Sequence, residues 1–280
     1  LAGAFHLDPR LGLAVGSIPM VGGHGTAGAF GPVLEEAGVA GANAVAIASA
    51  TFGLVAGCMI GGPLAYRRIH SLNLKSTETA TGSDEVTVDK NEVTGAIDSR
   101  RFLDSALYLA IAIGAGTIVS LFLNKLMTFP SYIGAMVVAA IIRNIVDATH
   151  KDMPMEEIST IGSFSLSLFL GLAMMGLKLW QLAELALPMI VMLAAQTVLM
   201  AIFAYFVVFN LLGKNYDAAV MTSGFCGFGM GATPNAMANM QAITAKYGPA
   251  PTAYFVVPLV GSLFIDFFNA LIITTFMNFL

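Results

Sequence analysis

The chain has 280 residues, of which 57% are hydrophobic and only 11% charged, and its formal net charge is −4. An average soluble domain carries about 25% charged residues, so this chain lacks the polar surface that a soluble globule of its size needs. The composition indicates an all-α integral membrane protein whose outer face meets lipid. The modest negative charge does not suggest a nucleic-acid partner, and we expect none.

Six stretches are long and apolar enough to form a helix that crosses a bilayer, which takes about 20 residues. In chain order they are 43–66, 103–123, 130–146, 160–179, 186–212 and 251–280. Segment 71–100 is rich in Ser, Thr, Asp, Glu and Gly and cannot bury a core, so it is interpreted as a solvated linker. Cys58 and Cys226 lie in apolar runs, so we expect no disulfide framework and interpret both as buried small side chains.

Two further stretches, 11–38 and 217–247, are apolar but interrupted by glycine. The first contains "GGHGT" and the second contains "SGFCGFGMGATPNAMANM". Glycine lowers helix stability by about 1 kcal/mol relative to Ala, so neither stretch predicts an unbroken spanning helix. The second should be a helix, an unwound loop and a second helix, with Pro234 in the first turn of that second helix.

The two interrupted stretches resemble each other, which predicts an internal repeat. "GHGTA" from Gly23 aligns with "GMGAT" from Gly229, and each is followed by a small-residue helix, a terminating glycine (Gly38 or Gly248) and a long final span. Four spans precede the second loop but none precedes the first, so we expect the N-terminal half to be incomplete by roughly a hundred residues. The start, "LAGAFHLDPR", has no initiator Met and no signal-peptide pattern, which agrees with a chain that begins inside a longer protein.

The predicted domains follow from this repeat. They are 1–70 for the C-terminal part of the first inverted repeat, 71–100 for the linker, and 101–280 for the second repeat with five spans and its re-entrant loop.

Basic residues predict the orientation through the positive-inside rule. We place the linker in the cytoplasm and the C-terminus outside, and each broken stretch enters and leaves on one side. The two loops then approach each other near the midplane from opposite sides of the membrane. The cytoplasmic basic residues are Arg67, Arg68, Lys75, Lys90, Arg100, Arg101, Arg143, Lys151, Lys214 and Lys246, and the external ones are Arg10, Lys125 and Lys178.

Bare backbone at membrane depth is tolerated only where it is buried in protein or lines a wet cavity. Half-helix N-termini favour anionic groups, and unwound carbonyls suit Na⁺. Two matching loops therefore predict a binding site, the alternative being glycines that only allow tight helix packing. The candidate residues are Gly22, Gly23, His24, Gly25 and Thr26 in the first loop, Gly227, Gly229, Gly231, Thr233, Asn235 and Asn239 in the second, and Thr51 and Asp266 in the closing spans.

These candidates also have structural interpretations. His24 could contact a ligand or handle a proton, or it could make a structural hydrogen bond inside its loop. Thr26, Thr233, Asn235 and Asn239 could coordinate through side-chain oxygens or cap the following half-helix.

Asp266 is the one acid inside an otherwise apolar span, where a charge costs at least about 3 kcal/mol unless it is paired or hydrated. We expect it to face the cavity and to bind Na⁺ or a proton together with loop carbonyls, the alternative being a pair with Lys or Asn of a neighbouring span. Thr51 and Asn269 are weaker candidates in the closing spans.

Several motifs carry a resemblance to a known family. They are "GSIPMVGGHGTAGAF" and "ATFGLVAGCMIGGPLA" in the first repeat, and "SLSLFLGLAMMGLKLWQLAELALPM", "GKNYDAAV", "GFCGFGMGATPNAMANMQAIT" and "VVPLVGSLFIDFFNALI" in the second. On these the chain resembles the bacterial sodium/glutamate symporter family, which has a longer N-terminal half. The resemblance implies a secondary transporter of the inner membrane that takes up L-glutamate, with Na⁺ as coupling ion and no organic cofactor. It also implies two inverted five-helix repeats with re-entrant or broken-helix hairpins, and a homodimer that moves its substrate domain by an elevator-like shift.

The leading hypothesis is alternating access, in which Na⁺ near the loops favours the state that binds the anionic amino acid. A Na⁺- or H⁺-coupled carrier for another carboxylate is the alternative, because a half-helix N-terminus selects an anionic group and no particular acid. An intramembrane hydrolase built on His24 fits poorly because the chain has no GxSxG turn, and we expect no enzyme activity. A passive channel would need a continuous polar stripe, and 130–146 and 160–179 offer only scattered serine.

Apart from Arg143 near the end of 130–146, no arginine lies inside a predicted span to pair with the second carboxylate of glutamate. That carboxylate therefore has to meet backbone, hydroxyl or amide donors.

Overall fold

The computed structural model describes residues 2–76, 99–125, 132–175 and 179–280, and within these residues every regular element is helical. Three helices of the described chain are long and apolar enough to cross a membrane: Ala42–Ser71, Ser99–Leu123 and Ala183–Leu211. Large apolar side chains cover their outer surfaces, such as Ile118 at 71% exposed and Leu199 at 65% exposed. Lipid solvates such a surface and water does not. The prediction of an all-helical membrane protein is confirmed.

Each of the six predicted spans overlaps at least one helix of the described chain, and three of these helices meet the length and hydropathy of a membrane crossing. A short 3₁₀ turn at Ala2–Phe5 precedes α1 (Leu11–Val15), α2 (Ser17–Glu36) and α3 (Ala42–Ser71), and then come α4 (Ser99–Leu123), α5 (Tyr132–Ala148) and α6 (Met155–Met175). Helix α7 (Leu179–Phe203) continues through a π-helical segment, Ala204–Val208, into α8 (Phe209–Leu211), followed by α9 (Tyr216–Gly229) and α10 (Thr233–Tyr247). The chain ends with α11 (Pro251–Val260), a second π-helical segment, Gly261–Ile265, and α12 (Asp266–Phe279). Most of the predicted linker, residues 77–98, lies outside the described residues.

The helices form two compact units. Of the described residues, unit 1 comprises 2–76, 179–276 and 280 and contains α1–α3, α7–α11 and most of α12. Unit 2 comprises 99–125, 132–175 and 277–279 and contains α4–α6. The repeat boundaries expected from the sequence stay a prediction.

A stripe of glycines on α3 lets unit 1 pack closely. A Cβ on Gly57 would lie 2.9 Å from the Cys226 carbonyl oxygen, and a Cβ on Gly61 would lie 2.9 Å from the Ser223 carbonyl oxygen. Gly53, one turn earlier, would overlap the backbone of the turn after α9. Because these glycines recur every four residues on one helix face, α9 lies directly on the α3 backbone.

Unit 2 is joined by a similar close contact and by ion pairs. A Cβ on Gly116 of α4 would overlap the backbone of Ala135 in α5. The Arg101 side chain donates to Asp152 at 2.8 Å and to Glu157 at 2.9 Å, which ties the start of α4 to the start of α6.

Candidate substrate and ion site

The first glycine-rich stretch breaks at Gly23. The backbone of Gly23 has φ 61 and ψ −156, which is not helical, although the residues on both sides of it in α2 are helical. Residues 17–22 and 24–36 are therefore separate half-helices. Arg10 Nη1 donates to the Ala37 carbonyl at 3.1 Å although 27 residues separate the two. The entry and exit of the stretch thus meet, and the chain folds back on itself with Gly23 at the turn.

The second stretch breaks between Gly229 and Thr233, where α9 ends and α10 begins. The Tyr216 hydroxyl donates to the Gly248 carbonyl at 2.6 Å, so this stretch also begins and ends at one place. The N-cap of α10 is Ala232, which makes no side-chain cap bond. The suggestion that Thr233 or the asparagines cap this half-helix is therefore wrong, whereas Pro234 does lie in its first turn as predicted.

Glycines end both half-helices that follow the breaks. Gly38 has φ 93 and Gly248 has φ 108, in the left-handed region where glycine is favoured. The prediction that these two residues terminate their helices is confirmed.

The two breaks touch each other. A Cβ on Gly23 would lie 3.1 Å from the Gly231 carbonyl oxygen and 3.7 Å from Ala232 Cβ. The ends of the first stretch lie at the loop that leads into α3, whereas Tyr247 at the end of the second bonds His70 near the end of α3, at 3.3 Å. The stretches therefore approach the centre of unit 1 from opposite ends of α3. Their relation as an inverted repeat and their re-entry into a membrane stay predictions.

His24 and Thr51 meet beside the first break. His24 Nε2 lies 2.9 Å from Thr51 Oγ1, and that hydroxyl donates to the Ile47 carbonyl at 3.2 Å. When the Thr51 hydroxyl donates to Ile47, it can accept only from the His24 tautomer that carries its proton on Nε2. His24 is half-buried, Thr51 is exposed, and a Cβ on Gly25 would meet nothing within 4 Å. This side of the break is open.

The two asparagines of α10 bind the α3 backbone. Asn235 Nδ2 donates to the Leu54 carbonyl at 2.8 Å, and Asn239 Nδ2 donates to Gly57 at 3.1 Å and Ser223 at 3.0 Å. Asn239 is only 5% exposed, so its amide joins α3, α9 and α10. Asn235 is half-buried and remains next to the open side.

Cys58 differs from its prediction. It is exposed, and its thiol lies 3.4 Å from Asn235 Oδ1, whereas Cys226 is buried as expected. Residue 58 lies in an apolar run, but it occupies a different face of α3 from the glycine stripe.

Several candidate glycines serve packing. A Cβ on Gly22 would overlap the Thr26 side chain, one on Gly227 would lie 2.7 Å from the Asn235 carbonyl oxygen, and one on Gly229 would lie 2.5 Å from Met200 Cε. Gly227 therefore allows α9 to lie close to the α10 backbone, whereas Gly22 and Gly229 face side chains, and a binding role for the three glycines stays a prediction. Gly231 lies at the contact of the two breaks.

Asp266 is the first residue of α12, and its side chain lies outside the described part of the structure. The segment around it touches both stretches. A Cβ on Gly261 would overlap the Phe228 ring, next to the second break. Asn269 Oδ1 accepts from Ser17 Oγ at 2.5 Å, and its Nδ2 donates to the Ser17 carbonyl at 3.3 Å. In the sequence, Asp266 therefore lies between Gly261, which contacts the second stretch, and Asn269, which contacts the first.

Sequence reasoning missed Ser17 and Gln196. Gln196 Nε2 donates to the Val15 carbonyl at 3.3 Å, where Gly16 interrupts the helix between α1 and α2. A lone Gln inside an apolar span was the available signal. Gln196 also borders a mainly apolar cavity of about 250 Å³, lined by Met20, Gln196, Leu199, Met200, Phe203, Gly229 and Met230. This lining does not suit a charged amino acid.

The sequence matches the sodium/glutamate symporter family over residues 1–249. The chain belongs to this family. It is 43% identical to the sodium/glutamate symporters of Escherichia coli (strain K12) and Shigella flexneri over 284 aligned residues, which cover 99% of this chain and 70% of those proteins. It is 37% identical to the sodium/glutamate symporter of Haemophilus influenzae, with 95% of this chain and 67% of that protein covered. No solved structure matches the chain significantly.

Membership of the sodium/glutamate symporter family confirms the resemblance drawn from the glycine loops. It also decides against the hydrolase hypothesis, because the family and the matched relatives are transporters. His24, the residue on which that hypothesis was built, is hydrogen-bonded to the Thr51 hydroxyl in the structure.

Proposed function

We propose that this protein is a secondary transporter that takes up L-glutamate together with Na⁺ across the bacterial inner membrane. The observation that carries the proposal is the contact between the two helix breaks, Gly23 against Gly231, in a chain of the sodium/glutamate symporter family. The relatives named sodium/glutamate symporter support the choice of substrate and ion.

The breaks supply groups that suit anions. Half-helices of 13 and 15 residues begin at His24 and Thr233, and their first N–H groups carry partial positive charge. The basic side chains described in unit 1 lie near helix ends, at Arg10, Arg67, Arg68, Lys75, Lys214 and Lys246. The two carboxylates of glutamate are therefore held by the two half-helix N-termini, with His24 and Thr51 as additional polar groups.

The same region suits a small hard cation. Carbonyl oxygens released where a helix unwinds are ligands for Na⁺. We place Na⁺ at carbonyls of the two breaks and at Asp266. In the sequence Asp266 lies between Gly261, which contacts the second stretch, and Asn269, which contacts the first. A cation bound there attracts the substrate carboxylates, so Na⁺ occupancy raises affinity for glutamate and couples the two fluxes.

The transport cycle is alternating access. Every candidate residue lies in unit 1, so unit 1 is the part that carries substrate, moving by an elevator-like shift within a homodimer. The linker 71–100 is cytoplasmic and the C-terminus external. Arg67 and Lys246 support this orientation, since they lie at the same end of α3 and α10 and basic residues favour the cytoplasmic side.

Uptake of labelled glutamate into proteoliposomes, with and without an inward Na⁺ gradient, tests the proposal. A Gly25→Leu variant fills the open space beside His24 in which we place the substrate. It should lower the uptake rate at least about tenfold, which corresponds to a loss of about 1.4 kcal/mol of substrate binding. Gly114→Leu in α4 is the matched control, because a Cβ there also meets nothing within 4 Å. It should transport like the wild type.

Uptake without Na⁺ dependence, or full activity of folded Gly25→Leu, would contradict the proposal. Na⁺-driven uptake of another carboxylate in place of glutamate would show that only the substrate assignment is wrong.

A further inference from the structure

Four side chains form an aromatic and basic cluster where α3 and α10 end. We call Tyr66, His70, Lys246 and Tyr247 the α3–α10 patch. The rings of Tyr66 and His70 lie 4.2 Å apart, and those of His70 and Tyr247 lie 5.9 Å apart. Lys246 Nζ lies 5.6 Å from the Tyr66 ring and 5.4 Å from the Tyr247 ring, within cation–π range. The rings therefore hold the ammonium group in place at the surface.

Two further basic residues flank the patch. Arg67 is exposed and follows Tyr66 on α3, with its guanidinium 5.9 Å from the Tyr205 ring. Lys75 is exposed just beyond α3, and the neighbouring Ser76 hydroxyl donates to the Pro249 carbonyl at 2.6 Å. This bond fixes the segment that carries Lys75 beside the end of α10.

These positive charges are not neutralised within the described residues. Arg10, Arg101 and Arg143 each make an ion pair with a carboxylate at 2.7–2.9 Å. Arg67, Lys75 and Lys246 make none in the part of the chain that the structure describes. An exposed group of cations that makes no ion pair with the described residues is electrostatically suited to bind an anion.

We infer that the α3–α10 patch, with Arg67 and Lys75, binds the headgroup of an anionic phospholipid. Helix α3 is apolar and long enough to span a membrane, so its charged end lies at the water–lipid boundary. Tyrosine rings favour this boundary, and each basic group near an anionic membrane surface strengthens binding about fivefold.

Native mass spectrometry of the delipidated protein in neutral detergent tests this inference, with phosphatidylglycerol or phosphatidylcholine as the added lipid. The wild type should bind phosphatidylglycerol in preference to phosphatidylcholine. An Arg67→Gln/Lys246→Gln variant should bind phosphatidylglycerol roughly 25-fold more weakly, about fivefold for each charge removed. Lys125→Gln, an exposed lysine in unit 2, is the control and should bind like the wild type.

Equal binding of the two lipids would overturn the inference, and so would equal loss in Lys125→Gln and the double variant. Inorganic phosphate that displaces phosphatidylglycerol at equal concentration would show a site for free phosphate and overturn the assignment to lipid. An Arg67→Lys/Lys246→Arg variant that retains lipid binding supports the role of charge and excludes misfolding of the Gln variant as the cause. The outcome does not depend on which substrate is transported.

Discussion

Gly23 is the residue on which the first break depends. Its φ of 61 lies in the left-handed region, and a Cβ there would press on the Gly231 carbonyl oxygen at 3.1 Å. Together with its ψ of −156 this is a conformation that essentially only glycine adopts, and another residue there costs about 1–3 kcal/mol. The identity of one residue thus decides both the turn and the approach of the second break.

Gly23→Ala should therefore lower the thermal unfolding temperature of the purified protein, corresponding to a loss of about 1–3 kcal/mol. Gly25→Ala is the matched control two residues later. It has open space around it and lies within the half-helix, where Ala is favoured over Gly by up to about 1 kcal/mol. Its unfolding temperature should be unchanged or higher. Equal destabilisation by both substitutions would show that Gly23 has no special role.

The surroundings of Asn239 and Cys58 could not be predicted from residue type alone. Asn239 is a candidate ligand whose binding role stays a prediction, and the structure adds that its side chain is 5% exposed and that its Nδ2 donates to two backbone carbonyls. Cys58 was expected to be buried, but it is exposed. Residue type and local apolarity indicate that a side chain lies in a membrane region, whereas the helix face it occupies depends on tertiary packing.

At the scale of elements, α3 is the helix against which both broken stretches are organised. It bonds His24 through Thr51, accepts the Asn235 and Asn239 amides, and lies against α9 through its glycine stripe. Its packing therefore sets the position of both breaks.

Gly57→Ala should destabilise the protein by about 1–3 kcal/mol, because the new Cβ would meet the Cys226 carbonyl oxygen at 2.9 Å and push α9 away. Gly62→Ala on the same helix meets nothing within 4 Å and should leave stability unchanged or higher. Thermal unfolding in detergent measures both. Similar values for the two variants would mean that α9 yields without penalty, contrary to the close packing described above.

The elements were largely predictable because their signals are local. Apolar length predicted the spans, glycine density predicted the breaks, and Gly38 and Gly248 predicted the helix ends. The π-helical segments, Ala204–Val208 and Gly261–Ile265, were not predicted, since their composition matches an ordinary apolar helix. The bonds of Gln196 to Val15 and of Ser17 to Asn269 join residues 181 and 252 positions apart, and no local pattern indicates such pairs.

At the scale of the whole molecule, the chain combines membership of the sodium/glutamate symporter family with a contact between its two broken stretches. Two broken stretches enter unit 1 from opposite ends of α3 and meet at Gly23 and Gly231. We propose that glutamate and Na⁺ bind at this meeting point. The reactivity of Cys58 can be used to probe this meeting point, because its thiol is exposed and lies 3.4 Å from Asn235 Oδ1 at the start of α10. Cys226 is buried.

The most direct test of this central claim is the rate at which a maleimide labels Cys58 in the purified protein, with the labelled thiol identified by mass spectrometry. Na⁺ and glutamate together should slow labelling several-fold, because the occupied site covers the thiol or closes around it. Glutamate with K⁺ in place of Na⁺ should leave the rate unchanged. Labelling of Cys58 at the same rate under all these conditions would contradict the placement of substrate and ion at the two breaks.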